Sequence, residues 1–120
     1  MIMKENILVD KSFHFAVRII KLYKYLSENN KEYVLSKQLL RSGTSIWANI
    51  QESQDAQSKK DFLSKLSISL KEAKETLYWL KLLEETNYIK EKDFNSINED
   101  LLEIIKLLTS IIKTIKKNLN

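Results

Sequence analysis

Residues 94–115 read FNSINEDLLEIIKLLTSIIKTI, and this stretch decides the fold. Phe94, Ile97, Leu101, Ile104, Leu108, Ile111 and Ile115 recur at alternating spacings of three and four. On an α-helix that period draws one apolar stripe, the seam by which helices pack nearly parallel or antiparallel to one another. Upstream, Leu63, Leu66, Leu70, Ala73, Leu77 and Leu80 repeat the pattern. Extending outward from these two seams, the periodicity predicts four helices over about 10–27, 33–53, 58–85 and 91–117.

The boundaries carry their own chemistry. Glu28-Asn29-Asn30-Lys31 breaks the first pattern. Ser58-Lys59-Lys60-Asp61 opens the third helix, with the Ser58 hydroxyl available to the amide of Asp61 and the acid near the positive helix end. Asn87 is suited to a left-handed residue at its close. Lys113, Lys116 and Lys117 favour the negative end of the fourth helix. Connections this short make neighbouring helices antiparallel, which predicts an all-α, left-handed, up-down-up-down four-helix bundle forming a single domain over residues 1–120. The last helix alone would be roughly 40 Å long, so the bundle should be elongated.

Composition narrows the classes further. With no proline and one glycine in 120 residues, there is almost no turn chemistry for hairpins or sandwiches. The absence of cysteine excludes disulfides and thiolate metal sites. Met1 to Asp10 mix charge and apolarity too finely for a secretory signal. No window approaches the roughly 20 uninterrupted apolar residues of a membrane span, so a cytoplasmic location with no membrane partner is expected. The net charge of +4 permits nucleic-acid binding without arguing for it.

Helix one carries more apolar surface than a bundle helix requires. Phe13, Ala16, Val17, Ile20 and Tyr23 form one face, and Phe15, Ile19, Leu22 and Leu26 form an adjoining one. Helix three shows a similar excess at Ile68, Trp79 and Leu82, away from its leucine seam. Contiguous, aromatic-rich excess of this kind predicts a homo-oligomer, with Phe15, Ile19, Leu22, Leu26, Ile68, Trp79 and Leu82 at the interface.

Catalytic and metal chemistry find little support. A di-iron bundle requires Glu-x-x-His pairs, whereas His14 is the single histidine and has no glutamate three residues before it. It falls on the polar side of its helix, where a solvated role is expected. Glu72 and Glu75, three residues apart on a helix, read as solvent-facing or lysine-paired acids. No catalytic residue, metal ligand or cofactor is predicted. Two basic rows remain: Lys11, His14, Arg18, Lys21 and Tyr25 on helix one, and Lys106, Lys113 and Lys117 on helix four. Such rows neutralise phosphates, and Tyr25 is placed to stack on a base. They equally describe a solvated face flanked by acids such as Asp10 and Glu28.

The segment Leu39 to Gln54 holds the lone glycine, Gly43, inside a helical pattern, where it costs roughly 1 kcal/mol against alanine. Leu35, Leu39, Ile46 and Ile50 make its core face, with Ser42 and Gly43 allowing close approach of a neighbour. Beside that face Gln38, Arg41, Ser45, Asn49 and Glu52 form a polar ridge. Arg41 and Glu52 stand about 16 Å apart along the helix, too far to pair. They are expected to end a hydrogen-bonded seam between helices or subunits.

With those residues in view, the chain resembles the four-helix-bundle proteins encoded in 23S rRNA intervening sequences. The resemblance is carried by Gln38-Leu39-Leu40-Arg41-Ser42-Gly43-Thr44-Ser45-Ile46 and Ala48-Asn49-Ile50, by Ser58-Lys59-Lys60-Asp61-Phe62, by Lys65 to Ala73 and by Glu75 to Leu80. Asp10 to Phe13 and Leu107 to Ile112 fit as well. It implies assembly into homopentameric barrels. Through a related branch, the accessory proteins of diversity-generating retroelements, it implies nucleic-acid binding alongside a reverse transcriptase. Trp47 departs from the pattern, since the family usually carries a small residue there. An indole at the edge of the core face, beside Leu40, is expected to alter a subunit contact or narrow a channel. The expected function is a non-catalytic oligomer associating with structured RNA or other nucleic acid through basic helix faces. The alternative is a scaffold that organises a partner enzyme such as a reverse transcriptase.

Overall fold

The computed structural model describes residues 2–119 as four helices, α1 (Ile2–Glu28), α2 (Leu35–Ser53), α3 (Lys59–Glu85) and α4 (Glu91–Leu119). Each helix packs on two others in a closed square: among the described residues α1 contacts α2 and α4, α3 contacts α2 and α4, and the backbones do not approach closely across either diagonal. The result is an up-down-up-down bundle with extents of 48 × 22 × 20 Å. Cross-helix bonds show the antiparallel sense directly. On α4, the partners of Lys4, Lys11 and Arg18 fall in reverse order at Ser110, Glu103 and Asp100. Between α2 and α3, Thr76, Ser69 and Lys65 meet Ser42, Ile46 and Glu52 in the same reversed sense.

The seams sit where their period places them. All seven stripe residues of α4 are buried, and Ile112 joins them. On α3, Leu66, Ala73, Leu80 and Leu83 are buried while Leu63, Leu70 and Leu77 pack half-buried against them. Each fully buried large aliphatic or aromatic side chain contributes about 1.5–3 kcal/mol by leaving water.

The first helix begins eight residues earlier than its sequence pattern predicts, at Ile2 rather than residue 10. The reason is Leu8, which is buried and continues the Phe15, Ile19 and Leu26 face one turn and more upstream. The second helix begins at Leu35, two residues later than expected. Lys31 adopts φ 55, turning the chain so that the Glu32 side chain covers the helix start. Its carboxylate accepts the amides of Val34 at 3.0 Å, Leu35 at 3.1 Å and Ser36 at 2.7 Å. This satisfies donors that a helix N-terminus otherwise leaves orphaned. At α3 the Ser58 hydroxyl accepts the Asp61 amide at 3.0 Å, and Asn87 closes that helix with φ 66.

The core also corrects the expected interface. Phe15, Ile19 and Leu26 are essentially fully buried within the chain itself, and Leu22 packs half-buried against them. They therefore face the interior of the bundle rather than a partner. The α1 surface left open is the adjoining one, where Phe13, Val17 and Ile20 remain exposed. A helical wheel shows two contiguous apolar faces but not which one the bundle takes. The burial of Leu8 and Ser12 in line with Phe15 decides it.

Gly43 lies where α2 packs directly on Ile19 of α1. A Cβ built there would stand 2.8 Å from both Cγ atoms of Ile19 and 3.2 Å from its Cβ. The glycine is therefore demanded by packing.

Candidate functional site

The polar ridge of α2 is stitched to α3. The Arg41 guanidinium donates to Glu72 at 2.9 Å and to Glu75, and these carboxylates raise its pKa, the Glu75 hydrogen bond foremost. Glu52, at the other end, lies 3.5 Å from Lys65. Between them Ser45 donates to the Arg41 carbonyl and Asn49 donates to the Ser45 carbonyl, both within their own helix. One layer inward, Thr76 donates to the Ser42 hydroxyl at 2.9 Å and Ser69 to the Ile46 carbonyl at 2.9 Å. These buried hydroxyls were not singled out as a cross-helix network from the sequence. Small size at helix spacing was their signal.

The basic row of α1 is brought against acids of α4. Lys11 meets Glu103 at 2.5 Å, and this hydrogen bond, with the accompanying charge attraction, raises the lysine pKa. Arg18 meets Asp100 at 2.6 Å and also reaches the Ser96 hydroxyl at 3.0 Å. His14 is exposed, its Nδ1 lying 2.9 Å from the Asp10 carbonyl. Lys21 and Tyr25 are exposed beyond these pairs, as are Lys106, Lys113 and Lys117 on α4. Charge on α1 is thus largely cancelled where it was expected to be available. Among the described residues, no group of three His, Asp or Glu side chains is placed to hold a metal ion.

The α1–α2 side is different in kind. Phe13 stands edge-on to Trp47 with ring centroids 5.6 Å apart. Val17 and Ile20 continue this surface along α1, while Leu40 and Thr44 continue it half-buried along α2. Asn6, Gln51 and Gln54 border the groove beneath Trp47, and among the described residues Asp10 is the one charged side chain lining it. In a chain whose residues are 30% charged, this strip is nearly free of charge. Trp47 therefore belongs to an outer face, half-buried against Phe13, rather than to the centre of the bundle. On α3, Ile68 is exposed, while Trp79 and Leu82 are half-buried, Trp79 packing edge-on against Tyr78 at 4.9 Å.

These features define a class: an all-α antiparallel four-helix bundle whose distinctive chemistry lies along its helix faces instead of in a cleft. The chain belongs to the 23S rRNA-intervening sequence protein family, whose model matches residues 4–110. It is similar to a crystal structure from Bacteroides thetaiotaomicron VPI-5482 described as a protein of unknown function from the S23 ribosomal protein family. The two are 60% identical with a TM-score of 0.91, over 92% of this chain and 98% of that one. No curated protein matches the chain. Among the described residues, no helix is long and apolar enough to cross a membrane.

Proposed function

We propose that this protein is a non-catalytic assembly module that self-associates through the α1–α2 face and associates with structured RNA. The carrying observation is the uncharged apolar strip of exposed Phe13, Val17 and Ile20 with half-buried Trp47, on a protein otherwise dense in charge. Contiguous apolar surface with aromatic anchors is what protein interfaces bury at their centres. Ile68, Trp79 and Leu82 supply a second, dissimilar patch on α3. Two unlike patches suit head-to-tail contacts that close into a ring, and the family resemblance suggests five members.

RNA association rests on the family's name together with lysines that, among the described residues, have no carboxylate within 4.0 Å. Lys11 and Arg18 are removed from that role by Glu103 and Asp100, leaving Lys21, Tyr25, Lys106, Lys113 and Lys117 of the original rows. The same pairing favours a second reading, in which the assembly organises a partner enzyme such as a reverse transcriptase and touches nucleic acid little. Binding to a hairpin RNA across salt separates them. Affinity falling steeply between about 50 and 200 mM salt supports RNA association through phosphates. No binding at the lower salt favours the scaffold.

A further inference from the structure

On the side of the bundle opposite the aromatic strip, the charge is unbalanced. Lys65, Glu72 and Glu75 mark the flank of α3 that faces α2, because they pair with Glu52 and Arg41. At 100° per residue, Lys60, Lys71, Lys74 and Lys81 point outward and toward α4. All four are exposed, and among the described residues none has a carboxylate within 4.0 Å. Lys113 on α4 is likewise exposed and without a carboxylate at that distance. It lies toward the Lys60 end, because the short connection at 86–90 makes the two helices antiparallel. The acids Glu84, Glu85 and Glu91 gather at the α3–α4 junction, away from Lys60 and Lys113 but within a turn of Lys81, so the excess of positive charge is greatest from Lys74 toward the Lys60 end.

We infer that this α3–α4 lysine face is a docking surface for the phosphate backbone of a nucleic-acid duplex. The inference rests on the RNA association proposed above and locates it on residues that neither sequence row includes, Lys113 excepted. Lys60 to Lys81 spans about 32 Å of helix. That is close to one turn of a nucleic-acid duplex, roughly 34–36 Å. Lysines without arginine give point-charge contacts to phosphate rather than bidentate reading of bases, so binding is indifferent to sequence. Tyr78 is the one exposed aromatic in the row, too few for the stacking ladder by which single strands are held. The occupant is therefore a duplex. At 100° per residue Ile68 and Trp79 fall on the α2-ward flank of α3, so head-to-tail contact through them leaves the α4-ward lysines Lys74 and Lys81 uncovered.

The test compares two triple variants of the full chain, Lys71→Gln/Lys74→Gln/Lys81→Gln and a charge-matched control, Lys24→Gln/Lys31→Gln/Lys37→Gln, on a hairpin RNA and a DNA duplex of equal length. Five lysine contacts predict a loss of about 500-fold in affinity between 50 and 200 mM salt, shrinking to roughly 12-fold in the α3 triple. The control keeps the wild-type salt dependence. Equal loss in both triples, or no loss in the α3 triple while wild type binds, overturns the location and leaves RNA association standing. No binding by wild type at 50 mM salt overturns both. Tighter binding of single strands than of hairpin overturns the duplex assignment, and competition by polyglutamate as effective as that by the hairpin overturns nucleic acid as the occupant.

Discussion

Replacing Gly43 with alanine should destabilise the protein, although alanine is the better helix former by about 1 kcal/mol. The added methyl would stand 2.8 Å from both Cγ atoms of Ile19, well inside ordinary van der Waals contact. Those atoms sit on a β-branched carbon in the middle of a helix, where one χ1 rotamer dominates and no flexible end can swing aside. Overpacking of this kind costs about 1–3 kcal/mol, so Gly43→Ala should be about 1 kcal/mol less stable than wild type. Ile19→Ala, which empties the same space, should cost about 2–5 kcal/mol. In that background the Gly43 methyl has room and only its helix preference remains, so adding it should now stabilise by about 1 kcal/mol. The four proteins form a cycle with a coupling of about 2 kcal/mol, measured by urea unfolding at one protomer concentration. Additive effects would refute the claim that this contact is what requires glycine.

Glu32→Gln should cost about 1–2 kcal/mol at pH 7 by weakening the cap on α2. Burial pushes the Glu32 pKa up, but amide bonds from Ser36, Leu35 and Val34 together bring it below its ordinary value. A depressed carboxyl stabilises the fold above its unfolded pKa, and that contribution fades as pH falls through the lower folded value. Thermal melts of the two proteins should therefore converge as pH falls below the ordinary carboxylate range. Arg41→Met should cost about 1 kcal/mol, because it strands Glu72, a largely covered carboxylate, beside Glu75; a cycle with Glu72→Gln would show the loss shrinking. Asn87→Gly should be neutral or slightly stabilising and Asn87→Ala destabilising by about 1 kcal/mol, since φ 66 suits residues that tolerate the left-handed region. Chemical denaturation distinguishes the two.

What the sequence made legible was whatever repeats with the helix period. The α4 stripe, the Ser58 cap and the turn at Asn87 follow local rules, and the structure places each where those rules put it. The start of α1 was hidden because Met1 to Asp10 mix charges with apolar residues, and Leu8 shows its importance only once the bundle buries it. The α2 cap was hidden because glutamate is not a usual capping residue; it serves here through a turn at Lys31 that has no sequence marker. Choosing between the two apolar faces of α1 required knowing the direction of the bundle axis. The same limit applied to charge. Lys11 and Arg18 form a row on their own helix, and only tertiary packing brings Glu103 and Asp100 against them. The lysines of α3 became distinctive by the opposite route, through the absence of such partners.

The aromatic strip as a subunit interface is tested most directly by the mass of the protein in solution. Light scattering at micromolar concentration should give a multiple of the 14.2 kDa chain, about 71 kDa for a ring of five. Phe13→Lys with Ile20→Lys, on an exposed surface that the fold does not need buried, should keep the helical content and reduce the mass to that of a single chain. A wild-type protein at 14.2 kDa, or a double variant still fully assembled, would contradict it.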